Sequence, residues 1–297
     1  NNEKFYNPIS IFLFYVKQKI NKFMWKITYN IFLLLILMSL NSCNKSISEK
    51  IIFADNVVVA HRGAWKSNNL PQNSIASLKQ AITLGCTGSE FDVRMTSDDV
   101  LIVTHDPKYQ GLEVEESTYA ELSKFKLSNG ETLPTLKEYI NAAMQDNTAT
   151  GLVCELKPSK VEERNIIIAE KVLNLVKELK AESYIKAYIS FNYSILKRII
   201  EIDPTAKTHY LDGSKSPEDL KKDKISGLDY AVSKLKNRPD WIASAKQHNL
   251  ILNAWTANKI EDIDWLLANE FDYITTDEPE LVFKKINNIM LSKSSKD

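Results

Sequence analysis

Four short stretches of this chain carry side chains suited to acid–base or metal chemistry: His61-Arg62, Glu90-x-Asp92, His105 and Glu155-x-Lys157. Glu90 and Asp92 are two apart in a strand-like run, so they share one face while Phe91 and Val93 turn to the other. Glu155 and Lys157 repeat that spacing at the end of a second run. Three carboxylates aimed into one pocket repel one another, and burying them unpaired is costly. A hard divalent cation relieves both problems. An all-oxygen donor set suits Mg²⁺ or Ca²⁺ better than zinc, which would recruit more His or Cys. Arg62 and Lys157 would then neutralise an anionic substrate beside the metal. His61 and His105, two of only four histidines, could serve a metal-bound phosphate as general base and general acid. Such groups contribute roughly 10²- to 10⁴-fold each. His209 and His248 read as structural; the second lies near a helix end, where a cation is mildly favoured.

Taken singly, each piece has a blander meaning. A strand-end histidine is often a satisfied structural residue, Glu-x-Asp a solvated edge, and Glu-x-Lys a surface pair. Their succession on consecutive strand ends is what favours one site, and that depends on the fold. Short apolar runs recur at Val57–Ala60, Ser89–Arg94, Leu101–Thr104, Leu152–Leu156, Ala187–Phe191, Thr208–Leu211, Tyr230–Val232, Leu250–Ala254 and Tyr273–Thr275. Helical patterns fall between most of them. Ser74 to Gly85 places Ile75, Leu78, Ala81 and Ile82 at helical spacing, and Val161–Leu179 does so with Ile168, Val172, Leu175, Val176 and Leu179.

Strand–helix alternation of this kind predicts an α/β fold with a parallel sheet covered by helices. About eight units favour a closed (β/α)8 TIM barrel, in which functional side chains collect at the carboxyl ends of the strands. No GxGxxG or P-loop pattern follows a strand, which argues against a doubly wound nucleotide-binding sheet. Between His105 and Pro134 the alternation breaks. That stretch reads as a short insertion after the second strand region, with a helical piece near Ser117–Phe125.

Charge narrows the partners. Lys plus Arg and Asp plus Glu both number 38, so the basic excess expected of a nucleic-acid binder is missing. A small anionic substrate is still compatible, because that depends on local charge. Of the three cysteines, Cys86 and Cys154 sit beside apolar runs and read as small core residues.

The third is different. From Met24 a cationic start leads into the apolar Ile31–Leu40 and then Asn41-Ser42-Cys43, the pattern of a secretory signal over residues 24–42. Leu40-Asn41-Ser42-Cys43 resembles the lipobox of bacterial lipoproteins, in which the cysteine becomes the lipid-bearing first residue. Residues 1–23 hold a second apolar patch and no Met, and are expected to lie upstream of the start. Residues 43–55 would then be a linker and residues 56–290 the barrel.

Beyond these local patterns, the ordered pieces across roughly residues 57–283 resemble the glycerophosphodiester phosphodiesterase family. They are His61-Arg62-Gly63, Pro71-Gln72-Asn73-Ser74, Glu90-Phe91-Asp92-Val93, His105-Asp106, Leu133-Pro134-Thr135-Leu136, Glu155-Leu156-Lys157, Trp255-Thr256-Ala257-Asn258 and Ile274-Thr275-Thr276-Asp277-Glu278-Pro279. The resemblance implies a TIM barrel that hydrolyses glycerophosphodiesters to an alcohol and glycerol 3-phosphate with one divalent metal ion. It assigns Glu90, Asp92 and Glu155 to the metal, His61 and His105 to acid–base catalysis, and Arg62 and Lys157 to the phosphate. Trp255 would line the glycerol end of the pocket. Where the family usually has Pro-Glu-Asn-Thr, this chain has Pro71-Gln72-Asn73-Ser74; Gln72 keeps a polar contact but loses the charge. That change leaves room for another diester, such as glycerophosphoinositol or a lysophospholipid. A non-catalytic barrel binding phospho-alcohols is the competing reading, but it would be expected to have lost a ligand or a histidine.

The expected location is the cell envelope, with a lipid anchor at Cys43 on the periplasmic or outer-membrane side; secretion is the alternative. Cys43→Ser is expected to move the protein from the membrane to the soluble fraction on cell fractionation. Continued sedimentation with membranes would rule out the anchor.

Overall fold

The computed structural model describes residues 51–294 together with Lys17, Lys19, Lys22, Met24, Trp25 and Lys26. The apolar run Ile31–Leu40 and the Cys43 site therefore lie outside the described residues. Among the described residues no helix is long and apolar enough to cross a membrane.

Residues 51–294 form one unit built on a closed sheet. Its elements in order are β1 (Val58–Ala60), α1 (Ile75–Leu84), β2 (Gly88–Met95), β3 (Leu101–Val103), β4 (Lys108–Tyr109), β5 (Leu112–Glu113), α2 (Tyr119–Leu122) and α3 (Leu136–Ala143). These are followed by β6 (Gly151–Leu156), α4 (Glu162–Glu178), β7 (Ile185–Ser190), α5 (Tyr193–Ile202), β8 (Thr208–Tyr210), α6 (Pro217–Lys222) and β9 (Gly227–Ala231). The last are α7 (Val232–Lys236), α8 (Asp240–Gln247), β10 (Ile251–Trp255), α9 (Ile260–Ala268), β11 (Tyr273–Thr276) and α10 (Pro279–Ser294).

Strands β1, β2 and β6 to β11 pair in parallel around a ring, and β1 closes it by bonding both β11 and β2. This is the (β/α)8 barrel expected from the alternation. Side-chain parity divides its two faces. Val59, Val153, Ala187, Ile189 and Leu211 pack inside the barrel, whereas Phe91, Val93, Leu152, Cys154 and Leu156 pack outward against the helices. Burying those outward side chains contributes about 1.5–3 kcal/mol each. Cys86 and Cys154 are both buried and unbridged.

Two sequence expectations need correction. The run Leu101–Thr104 is not a stave of the barrel. As β3 it pairs antiparallel with β2, Val93 opposite Val103, because the few residues between them allow only a tight turn and no helical crossover. The run expected at Tyr230–Val232 is strand from Gly227 to Ala231, and Val232 already begins a helix. Gly227 belongs in that strand because a Cβ there would meet the His209 ring at 2.6 Å.

Helix α1 matches its sequence signals closely. Ser74 caps it through Ser77 N–H, the Ser77 side chain reciprocates, and Gly85 ends it in the left-handed region. The insertion folds over one end as the β4–β5 hairpin and the short α2.

Candidate active site

The carboxyl ends of the strands converge on a pocket of about 220 Å³ lined by His61, Arg62, Glu90, His105, Glu155, Lys157, Phe191 and Trp255, among others. Each chain segment that reaches it is held for a local reason. After β1, Arg62 and Gly63 both adopt positive φ, 57° and 79°. An L side chain tolerates that poorly, yet the turn is fixed by three contacts. The Arg62 N–H donates to Glu90 Oε2 at 2.8 Å, the Gly63 N–H to the Glu90 carbonyl at 3.1 Å, and Ser77 Oγ to the Arg62 carbonyl at 3.1 Å. A Cβ on Gly63 would lie 2.4 Å from Ser77 Oγ, so only glycine fits against α1.

Glu90 and Asp92 point inward from β2, and Asp92 sits opposite Glu155 in the β2–β6 register. One oxygen from each of Glu90, Asp92 and Glu155 lies within 4.8 Å of the others, and all three residues are buried. Asn73 clamps Asp92 reciprocally: its Nδ2 donates to Asp92 Oδ2 at 2.8 Å and its Oδ1 accepts the Asp92 N–H at 3.0 Å. Lys157 lies between two of the acids, 3.2 Å from Asp92 Oδ1 and 2.7 Å from Glu155 Oε1. A carboxylate oxygen facing one ammonium still has a lone pair to offer, and Glu90 Oε1 has no hydrogen-bond partner among the described residues.

Electrostatics registers the crowding. Burial, reinforced by the charges of Asp92 and Glu155, holds the Glu90 carboxyl well above its usual range. Burial and Asp92 push Glu155 up to about 7. Asp92 goes the other way, because Lys157, His105, Asn73 and Arg62 together outweigh its burial. Burial also opposes the charge on Lys157, but Glu155 and Asp92 overcome it and raise its pKa. Three inward oxygens with spare lone pairs and mutual repulsion fit a hard divalent cation, the test that the donor set must pass.

Both histidines are held from behind by a carboxylate. His61 Nδ1 is 2.7 Å from Asp277 Oδ1, and His105 Nδ1 is 2.7 Å from Asp106 Oδ1. Such contacts assign the proton to Nδ1 and leave Nε2 to meet a substrate. Asp277 is itself fixed by Asn258 Nδ2 at 2.6 Å and Trp65 Nε1 at 3.3 Å. With the His61 contact, these bonds keep its carboxyl low despite burial. His105 reaches the pocket because β3 runs antiparallel, returning the chain to the rim where Thr104 N–H bonds the Asp92 carbonyl at 2.9 Å. Burial, with Lys157 and Arg62, lowers its pKa.

The other expected residues are also at this end. Trp255 ends β10, donates from Nε1 to the Asp229 carbonyl at 2.9 Å, and stands edge-on to Phe191 with ring centroids 5.5 Å apart. Gln72 accepts from Arg62 Nη1 at 2.7 Å; it meets the arginine and is not part of the pocket lining. His209 is buried in the barrel interior, and His248 caps the end of α8.

Sequence reasoning gave no role to Asp277, Asn73 or Asp229. Asp277 directly follows the last strand, so the strand-end rule that found His61 would have found it. Asn73 carries a positive φ of 58°, a conformation asparagine tolerates, which is visible only in the fold. Asp229 points inward from β9 at the pocket floor, where burial and Glu155 hold its carboxyl well above the usual range. The three-residue displacement of the expected strand had put it in a loop.

Comparison with known proteins agrees with this geometry. The Glycerophosphoryl diester phosphodiesterase family profile matches residues 61–281. A glycerophosphodiester phosphodiesterase crystal structure from Parabacteroides distasonis is 38% identical, with a TM-score of 0.77 over 80% of this chain and 99% of that one. A glycerophosphodiester phosphodiesterase from Caldanaerobacter subterraneus is 28% identical over 77% of this chain and 97% of the relative. An Oleispira antarctica phosphodiesterase, solved with sn-glycerol-3-phosphate, shares the fold at a TM-score of 0.66 and 24% identity.

The Asp277 contact yields a direct expectation. If His61 is an acid–base catalyst, Asp277→Asn should lower kcat by up to about 10⁴-fold with little change in KM, as when the carboxylate that fixes a histidine's tautomer is lost. Steady-state kinetics checks it, and an unchanged kcat would show that Asp277 does not position His61.

Proposed function

Because the chain belongs to the glycerophosphoryl diester phosphodiesterase family and is thereby a phosphoric diester hydrolase, we propose that it cleaves glycerophosphodiesters to an alcohol and glycerol 3-phosphate. The observation that carries this reading is the buried Glu90, Asp92 and Glu155 triad with two carboxylate-backed histidines lining the same pocket.

Glu90, Asp92 and Glu155 would hold one divalent cation, Mg²⁺ or Ca²⁺. When bound, such an ion supplies positive charge that polarises the phosphoryl oxygens. The chain's own residues account for the rest. Lys157 and Arg62 present fixed positive charge to the diester oxygens, and Gln72 holds the Arg62 guanidinium in place. One imidazole Nε2 withdraws the proton from the attacking oxygen, which is water or a neighbouring substrate hydroxyl. The other gives a proton to the departing alcohol as the P–O ester bond breaks. Asp277 and Asp106 hold a proton on Nδ1 of each ring, so the base presents a bare Nε2, while the acid acts as the imidazolium, whose second proton on Nε2 is the one it gives up. Phe191, Trp255, Leu211 and Ile189 form an apolar wall that suits the carbon skeleton of a glycerol unit better than a second charged group.

We further propose that the enzyme works at the cell envelope, tethered through Cys43, close to a lipid-derived diester substrate. His61→Ala and His105→Ala should each reduce hydrolysis about 10²- to 10⁴-fold on a panel of glycerophosphodiesters assayed with Mg²⁺ or Ca²⁺. Retention of most activity in both variants would refute the histidine roles. Failure of the unaltered protein to hydrolyse any diester would instead favour a binding barrel.

A further inference from the structure

At the amino-terminal ends of the strands, away from the catalytic pocket, lies a second cavity of about 980 Å³. Its size is that of a ligand site. Its walls come from residues 53–57, the starts of β7 and β11, and α10.

A buried lysine reaches into it. The β6–β7 register shifts between Leu152 and Val153, from Leu152 opposite Ile185 to Val153 opposite Ala187, which leaves Lys186 as an extra, bulged residue. Two glycines make room for its stem: a Cβ on Gly151 would lie 2.8 Å from Lys186 Cβ, and one on Gly88 would lie 3.5 Å from its Cδ. The ammonium ends 3.0 Å from Thr87 Oγ1, over the rings of Phe53 at 4.3 Å and Tyr273 at 4.4 Å. Lys186 is 9% exposed.

Three Lys or Arg side chains are buried among the described residues: Arg94, Lys157 and Lys186. Arg94 and Lys157 sit among the carboxylates of the active-site end. Among the described residues Lys186 has no carboxylate partner. Asp272 in the same cavity is committed to the Leu252 N–H at 2.8 Å, and Asp55 is exposed at the rim. Burial lowers the ammonium to about 8. An ammonium has three donors, and one hydroxyl oxygen with two ring faces is an incomplete set of partners. A buried cation without a counterion is costly, and an arriving anion relieves that cost. Beside it, Phe271, Phe283, Ile286 and Met290 form an apolar flank that continues to the surface, where Met290 is 62% exposed.

We propose that this cavity binds a single-chain amphiphile with an anionic head, carboxylate or phosphate. Lys186 receives the head and the Phe271–Phe283–Ile286–Met290 flank receives the chain. The site is independent of the catalytic pocket and makes no use of its residues.

Calorimetric titration of the full chain with dodecanoate, dodecyl phosphate and uncharged 1-monolaurin, all below their micelle concentrations, tests this. At least one of the two anions should bind one-to-one, at least about ten-fold tighter than monolaurin, as expected of a desolvated charge pair. The tighter of the two anions identifies the head. Lys186→Met should abolish that preference while diester hydrolysis is unchanged. Met290→Asp, at an exposed position that does not endanger folding, should weaken all three ligands. No binding by either anion, equal affinity for anions and monolaurin, or undiminished anion binding in a folded Lys186→Met protein would overturn the proposal.

Discussion

Three carboxylates held in one buried pocket form the constraint around which the catalytic end is organised. Their repulsion would be removed if any of the acids could turn away, but the barrel prevents it. Parity on β2 turns Glu90 and Asp92 to the same side, and the β2–β6 register places Glu155 opposite Asp92. The Asn73 clamp and the Lys157 ammonium hold the carboxylates without satisfying every oxygen. A site of this kind is destabilising when considered alone. It makes sense as a receptor for positive charge, which is the basis of the proposed metal dependence.

The neighbouring loops follow from that constraint. Glu90 does more than face the pocket, since its Oε2 and its carbonyl both fix the turn that carries Arg62 and Gly63. The same turn places His61 against Asp277, which directly follows the last strand, so the first and eighth staves of the barrel share the His61 imidazole. Closure of the ring through β1 and β11 is therefore a condition for orienting His61 as well as a feature of the fold. The opposite end shows the same preference for inward polar groups, with Lys186 set into a space left by two glycines.

Much of this was legible in the sequence where one physical rule applies locally. Period-two spacing revealed the carboxylates, and the helical spacing of Ile75, Leu78, Ala81 and Ile82, stopped by Gly85, revealed α1. Where a long-range partner decides, the sequence was silent or misleading. Leu101–Val103 reads like any other buried strand, and only its short connection to β2 shows that it must run antiparallel. At β9 the expected run, Tyr230–Val232, begins three residues late and leaves out Gly227 and Asp229. In the fold the glycine makes space for His209, and the aspartate is an inward polar residue at the pocket floor. Asp277 was visible as part of a motif, but its role depends on a residue 216 positions earlier.

The account turns on whether the triad binds one divalent cation on which hydrolysis depends. The direct measurement is titration of chelator-stripped protein with Mg²⁺ and with Ca²⁺, following bound ion and diester hydrolysis in the same samples. The account predicts one ion per chain, activity that rises with occupancy, and loss of both in folded Asp92→Asn. Full hydrolysis in excess chelator with no ion bound would contradict it.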